Sequence, residues 1–270
     1  VRLSGLLFAL VVLASPAAWA QSAEQLREAE RIAAIGWELY EHDQAAWHGT
    51  DAMLADVRDP RAEGFQGWIT ERTPDGVQVL FLRADGANVS AAYRATFRDG
   101  AVRERGRVNQ PLSEAQARIN RARELAISSQ LPQQCAERYN SVTLPRSEPA
   151  PDGVDVDVYL MPAQATANEA PFGGHFRFAV DTSAGIVREV QRFTNGCITL
   201  PIERGSTALW ISQVIGDAPT EVHVFESLTV GKPVFVSTRS GNWSVDGRHV
   251  RFFSDPPAGS SAPARPDKPA

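Results

Sequence analysis

Apolar residues between Ser22 and Val57 recur at helical spacing, and Ile32, Ile35, Leu39, Ala46, Trp47 and Leu54 project onto one stripe. Ser22 followed by Gln25 reads as a capping box, and Pro60 marks the end of the pattern. A helix of this length is expected to bend at Gly36 or Gly49. Beyond it the period changes to two. Segments 65–72, 77–84, 87–97 and 101–108 alternate apolar and polar residues, with turns at Pro74-Asp75-Gly76, Asp85-Gly86 and Asp99-Gly100. They predict a four-stranded antiparallel meander. A second helical pattern covers 111–130, capped by Ser113, with Ile119, Ala122, Leu125 and Ala126 on one face. Strand patterns then return at 154–162, 175–181, 185–193, 208–215, 220–228 and 233–238. A last hairpin, 242–253, turns at Asp246-Gly247.

The order predicts an α+β fold, with N-terminal helices packed on antiparallel β-meanders. Gly100-Ala101-Val102-Arg103-Glu104 follows one strand, and Gly185-Ile186-Val187-Arg188-Glu189 follows another in the same way. The recurrence fits two helix-plus-sheet units, 21–110 and 111–253. It equally fits two separate hairpins of similar sequence.

The two ends fall outside these patterns. Residues 1–20 combine Arg2, an apolar run from Leu6 to Ala14 and the small-x-small site Ala18-Trp19-Ala20, the layout of a secretory signal peptide. The run is shorter than the roughly 20 residues a membrane-spanning helix needs, so the mature form is expected to lack an integral membrane segment. Gln21 after the cut gives no cysteine for a lipid anchor. Valine in the first position fits a GTG start codon and a bacterial source. Residues 254–270 are rich in Pro, Ser and Ala and are expected to be a disordered tail, which could act as a tether. Localisation is therefore expected to be periplasmic or secreted, after cleavage near Ala20. In such a compartment the only two cysteines, Cys135 and Cys197, are expected to form a disulfide.

Charge narrows the partners. The formal net charge is −5, and Lys232 and Lys268 are the only lysines among 27 basic residues. An arginine bias of this kind follows from a GC-rich genome. Mild acidity without a basic run argues against nucleic acid as a partner. Gly-x-Ser-x-Gly, Ser-x-x-Lys and His-Glu-x-x-His are absent, and Gly231-Lys232 lacks the first glycine of a phosphate loop. No cofactor is expected.

The remaining chemistry rests on a few side chains. Asp43 sits in the apolar stripe of the first helix with Thr50, so it is either a paired buried acid or a general acid or ligand-binding group in a cleft. His42 and His48 flank it and are read as solvated. Read as strands, 175–181 places His175 and Arg177 on one face, and 220–228 places Glu221, His223 and Phe225 on one face. If those faces meet, His175, Arg177, Glu221 and His223 form an acid–base group, or His175 and His223 a metal site. A one-residue slip separates them. Gly173-Gly174 either clears space for a ligand or serves an ordinary turn before the strand.

The segments "LYEHDQAAWHGTDAM" (39–53) and "PFGGHFRFAVD" to "WSVDG" (171–247) resemble a group of exported, uncharacterised bacterial proteins of unknown function. The resemblance implies export and assigns no site. The function expected from the whole is a non-enzymatic binding or accessory factor of the cell envelope, its partner a small molecule or an envelope protein. The alternative is an envelope hydrolase using Asp43 or a His175/His223 cluster.

Overall fold

The computed structural model describes residues 21–253 apart from residue 87. The signal peptide expected over 1–20 and the tail over 254–270 lie outside the described residues. Helix α1 (Ala23–Asp56) starts from the Ser22/Gln25 capping box and runs unbroken through Gly36 and Gly49. It is followed by β1 (Phe65–Thr73), β2 (Gly76–Asp85), β3 (Asn88–Arg98) and β4 (Ala101–Pro111), paired in that order as an antiparallel meander. Helix α2 (Glu114–Ser128) repeats the device with a Ser113/Gln116 capping box. A second antiparallel sheet has the order β5-β6-β8-β9, built from β5 (Tyr139–Pro145), β6 (Val156–Pro162), β8 (Phe176–Asp181) and β9 (Ile186–Arg192). Two short strands, β7 (Glu169–Pro171) and β10 (Thr199–Pro201), pair with each other.

Alternation within single strands explains the layering. Val77, Val79 and Phe81 of β2 pack against Ala45, Met53 and Val57 at the end of α1. Leu80 and Leu82 of the same strand face the other way, onto Ile119 of α2. In β6, Val156, Val158 and Leu160 meet Ala122 and Ala126 of α2, whereas Tyr159 and Met161 share a core with Leu39 of α1. Both sheets thus lie between α1 on one side and α2 on the other. Strands buried on both faces need apolar residues in both parities, and these have them.

The last third departs from its expected form. Segment 220–228 is helix α3 (Glu221–Val230), not a strand. Thr220 caps its start through His223, and Gly231 closes it in the left-handed conformation (φ 64°). Residues 221–227 are all buried, so Val-His-Val-Phe carries no helical stripe and its alternation reads as a strand. Helix α3 connects β11 (Leu209–Ser212) to β12 (Val234–Thr238), and these two strands are parallel, as a crossover requires. Strands β13 (Gly241–Asp246) and β14 (His249–Phe253) complete the third sheet as the expected hairpin.

Cys135 and Cys197 are disulfide-bonded. The bridge also explains the double glycine. A Cβ on Gly173 would collide with the backbone at Gly196 and Ile198, and one on Gly174 with Cys135 itself. The glycines let the chain pass the bridged loop; they do not open space for a ligand.

Candidate functional site

Helices α1 and α3 cross where Gly36 admits Val224. A Cβ at position 36 would lie 2.5 Å from Val224 Cβ and 2.6 Å from the Glu221 carbonyl oxygen. One end of the pair opens into a cleft of about 440 Å³. Helix α1 contributes residues at i, i+3, i+4 and i+7 spacing, and α3 contributes two neighbours and the residue one turn on. Asp43, Ala46, Trp47 and Thr50 come from α1, and Phe225, Glu226 and Thr229 from α3. Trp68 of β1, Asn140 of β5 and the 161–164 segment supply the remaining walls.

Among the described residues Asp43 and Glu226 are the only ionisable side chains lining the cleft, and each is displaced from its ordinary state. Burial pushes the Asp43 carboxyl up to about 6, a bond from Asn140 Nδ2 to Oδ1 (3.1 Å) opposes that, and the charge of Glu226 adds to it. Glu226 is 1% exposed, and burial raises its carboxyl as well, against the opposing effect of His175. His175 Nε2 lies 3.1 Å from Glu226 Oε1. Glu226 Oε2 and His175 Nδ1 have no hydrogen-bond partner among the described residues, and neither has Trp68 Nε1. Trp47 is 58% exposed at the rim. Its ring stacks on His48, which stacks in turn on Phe97.

The five candidates do not come together in one place. Asp43 lines the cleft, and His175 reaches it only through Glu226. Glu221 instead accepts a bond from Tyr159 (2.9 Å) and lies 3.9 Å from Arg31. Arg177 is opposite Tyr159 in the β6–β8 ladder and 3.9 Å from Asp157. His223 belongs to neither group. Its Nδ1 accepts from the Thr220 backbone N–H (3.0 Å), and burial, with the nearby His175 charge, pushes it down to about 4. Among the described residues no group of three or more His, Cys, Asp or Glu side chains is placed to hold a metal ion.

One histidine environment differs from expectation. His42 is 2% exposed rather than solvated, with Nδ1 2.8 Å from Thr70 Oγ1, and burial pushes it down to about 3. His48, by contrast, is partly exposed, stacked between Trp47 and Phe97. Glu226 is the residue that the strand reading hid. As a strand, 220–228 places it with Val222 and Val224, away from His223; as a helix, it joins Phe225 and Thr229. The detectable signal was the acid within a helical set bounded by Thr220 and Gly231.

Comparison with protein-family models, curated proteins and solved structures finds no match for this chain.

Proposed function

We propose that the protein is a non-enzymatic binding factor of the bacterial cell envelope, exported by residues 1–20 and taking a small ligand in the α1–α3 cleft. The observation that carries this reading is the cleft itself. Its volume suits a small molecule, its walls are mostly apolar or aromatic, and a few polar groups converge on it. Only one of the five expected site residues lines it, which favours binding over an assembled catalytic group. The disulfide is compatible with an oxidising compartment.

A ligand-observed NMR screen with a mixed fragment set tests this, run on the wild type and on Gln164→Trp. Gln164 is exposed at the cleft wall, so the indole is expected to plug the cleft without disturbing the core. Fragments that bind the wild type and lose binding in the variant support the reading. Equal binding to both, or none to the wild type, contradicts it. Export has its own readout, a mature N-terminus at Gln21.

One observation favours a second reading. A carboxyl near pH 6 beside a second, partly unpartnered carboxyl suits general acid–base catalysis. An envelope hydrolase of this kind would turn over ester or glycoside chromogens and lose that activity in both Asp43→Asn and Glu226→Gln.

A further inference from the structure

We propose that the ligand of the α1–α3 cleft carries a protonated amine, seated between Asp43 and Glu226 against the aromatic wall. The proposal rests on the binding reading above and narrows its ligand class.

The first ground is charge. Among the described residues the cleft lining contains two carboxyls and no lysine or arginine. Among the described residues the only basic group acting on either carboxyl is His175, which engages Oε1 of Glu226 and leaves Oε2 without a partner. A carboxylate or phosphate ligand would meet two acids, with only His175, already engaged by Glu226, to offset them. An ammonium carries three donors and no acceptor, which complements a buried carboxylate oxygen lacking a donor.

The second ground is the unpartnered oxygen. A buried carboxyl oxygen without a hydrogen bond costs free energy that any donor reaching it recovers. Asn140 satisfies one oxygen of Asp43, and His175 one of Glu226, so each acid is anchored by one partner. Trp68 and Phe225 line the same space and Trp47 forms its rim. Indole faces attract cations, so the aromatic wall favours the same ligand charge as the acids. Trp68 Nε1 also lacks an acceptor, which suits an amine bearing a neighbouring hydroxyl or carbonyl oxygen.

The groups that titrate around the cleft are Asp43 on α1, Glu226 and His223 on α3, and His175 at the start of β8; β1 and β5 present Trp68 and Asn140, which do not titrate. Amine binding is therefore expected to displace a proton from the carboxyl pair. Near pH 6 it should release protons to the buffer.

The experiment is calorimetry with three probes of one shape: benzylammonium, benzyl alcohol and benzoate. The wild type is expected to bind benzylammonium at least about tenfold more tightly than benzyl alcohol, and benzoate not measurably. Asp43→Asn and Glu226→Gln should each bring the amine-to-alcohol ratio toward one. Titration of the wild type at pH 6, in buffers of different ionisation enthalpy, should show net proton release and needs no variant to fold. Equal affinity for amine and alcohol, both lost in Gln164→Trp, overturns the amine and leaves the cleft standing as a binding site. Amine binding that survives Gln164→Trp overturns both. No benzylammonium binding to the wild type at millimolar concentration, or binding without proton release, overturns the amine proposal.

Discussion

Asp43 sits on α1 among residues that face the interior, and its carboxyl is raised to about 6 chiefly by burial. The folded protein therefore holds this proton more tightly than the unfolded chain between about pH 4 and 6. Stability from this group falls as pH rises through that window and stays low above it. Asparagine keeps an oxygen for Asn140 and removes the charge. Urea unfolding of Asp43→Asn and the wild type at pH 4 and pH 8 should show their difference moving by about 2–3 kcal/mol in favour of the variant at pH 8. No movement would place Asp43 in water. Asp43 was legible because an acid in an apolar stripe must have a reason. The stripe itself was only partly legible: Trp47 and the equally apolar Leu54 are half exposed, while Ala45, Gly49 and Ala52 are buried. A long helix meets different partners along its length. Near the meander it buries Ala45, Gly49, Ala52 and Met53 and leaves Trp47 and Leu54 outside, so one averaged stripe misplaces both its rim and His42.

Helix α3 shows where periodicity stops informing. A helix surrounded by protein on all sides needs no polar face, and Val222 to Phe225 then fit either period. Its ends were more informative than its middle, since Thr220 and Gly231 bracket ten residues. The crossing with α1 depends on Gly36, whose neighbours include a backbone carbonyl that cannot rotate away. Gly36→Ala should destabilise the protein by about 2–4 kcal/mol despite the better helix propensity of alanine. Gly49 is the contrast. Its nearest neighbour is a Val79 methyl at 3.2 Å, which can shift by tenths of an ångström, so Gly49→Ala should stay within about 1 kcal/mol of the wild type. Thermal unfolding of the two variants reads the difference, and equal effects would contradict this account of the crossing. A bend in α1 was expected at one of these two glycines; instead both bring the helix close to its neighbours.

For the whole molecule, α1 is the shared element. It packs on the first sheet near its end, on the second sheet at Leu39, and on α3 and the third sheet from Ala29 and Ile32. The α+β class and the antiparallel meanders were legible because turn residues and alternation are local signals. The parallel β11–β12 pair and the short strands β7 and β10 depend on distant partners and were not. The disulfide joins segments 62 residues apart, so reduction should cost about 4 kcal/mol of stability in the chain-entropy model. A fall in the denaturation midpoint on reduction, with altered mobility on non-reducing gels, checks this; two titratable thiols in the untreated protein would refute it. The cleft exists because α1 and α3, far apart in sequence, place Asp43 and Glu226 in one space. The most direct test follows the Asp43 side-chain carboxyl carbon by NMR across pH in the wild type and in Glu226→Gln. A midpoint near 6 that falls when Glu226 loses its charge is the expected result, whereas a midpoint near 4 that does not respond would contradict the shared cleft.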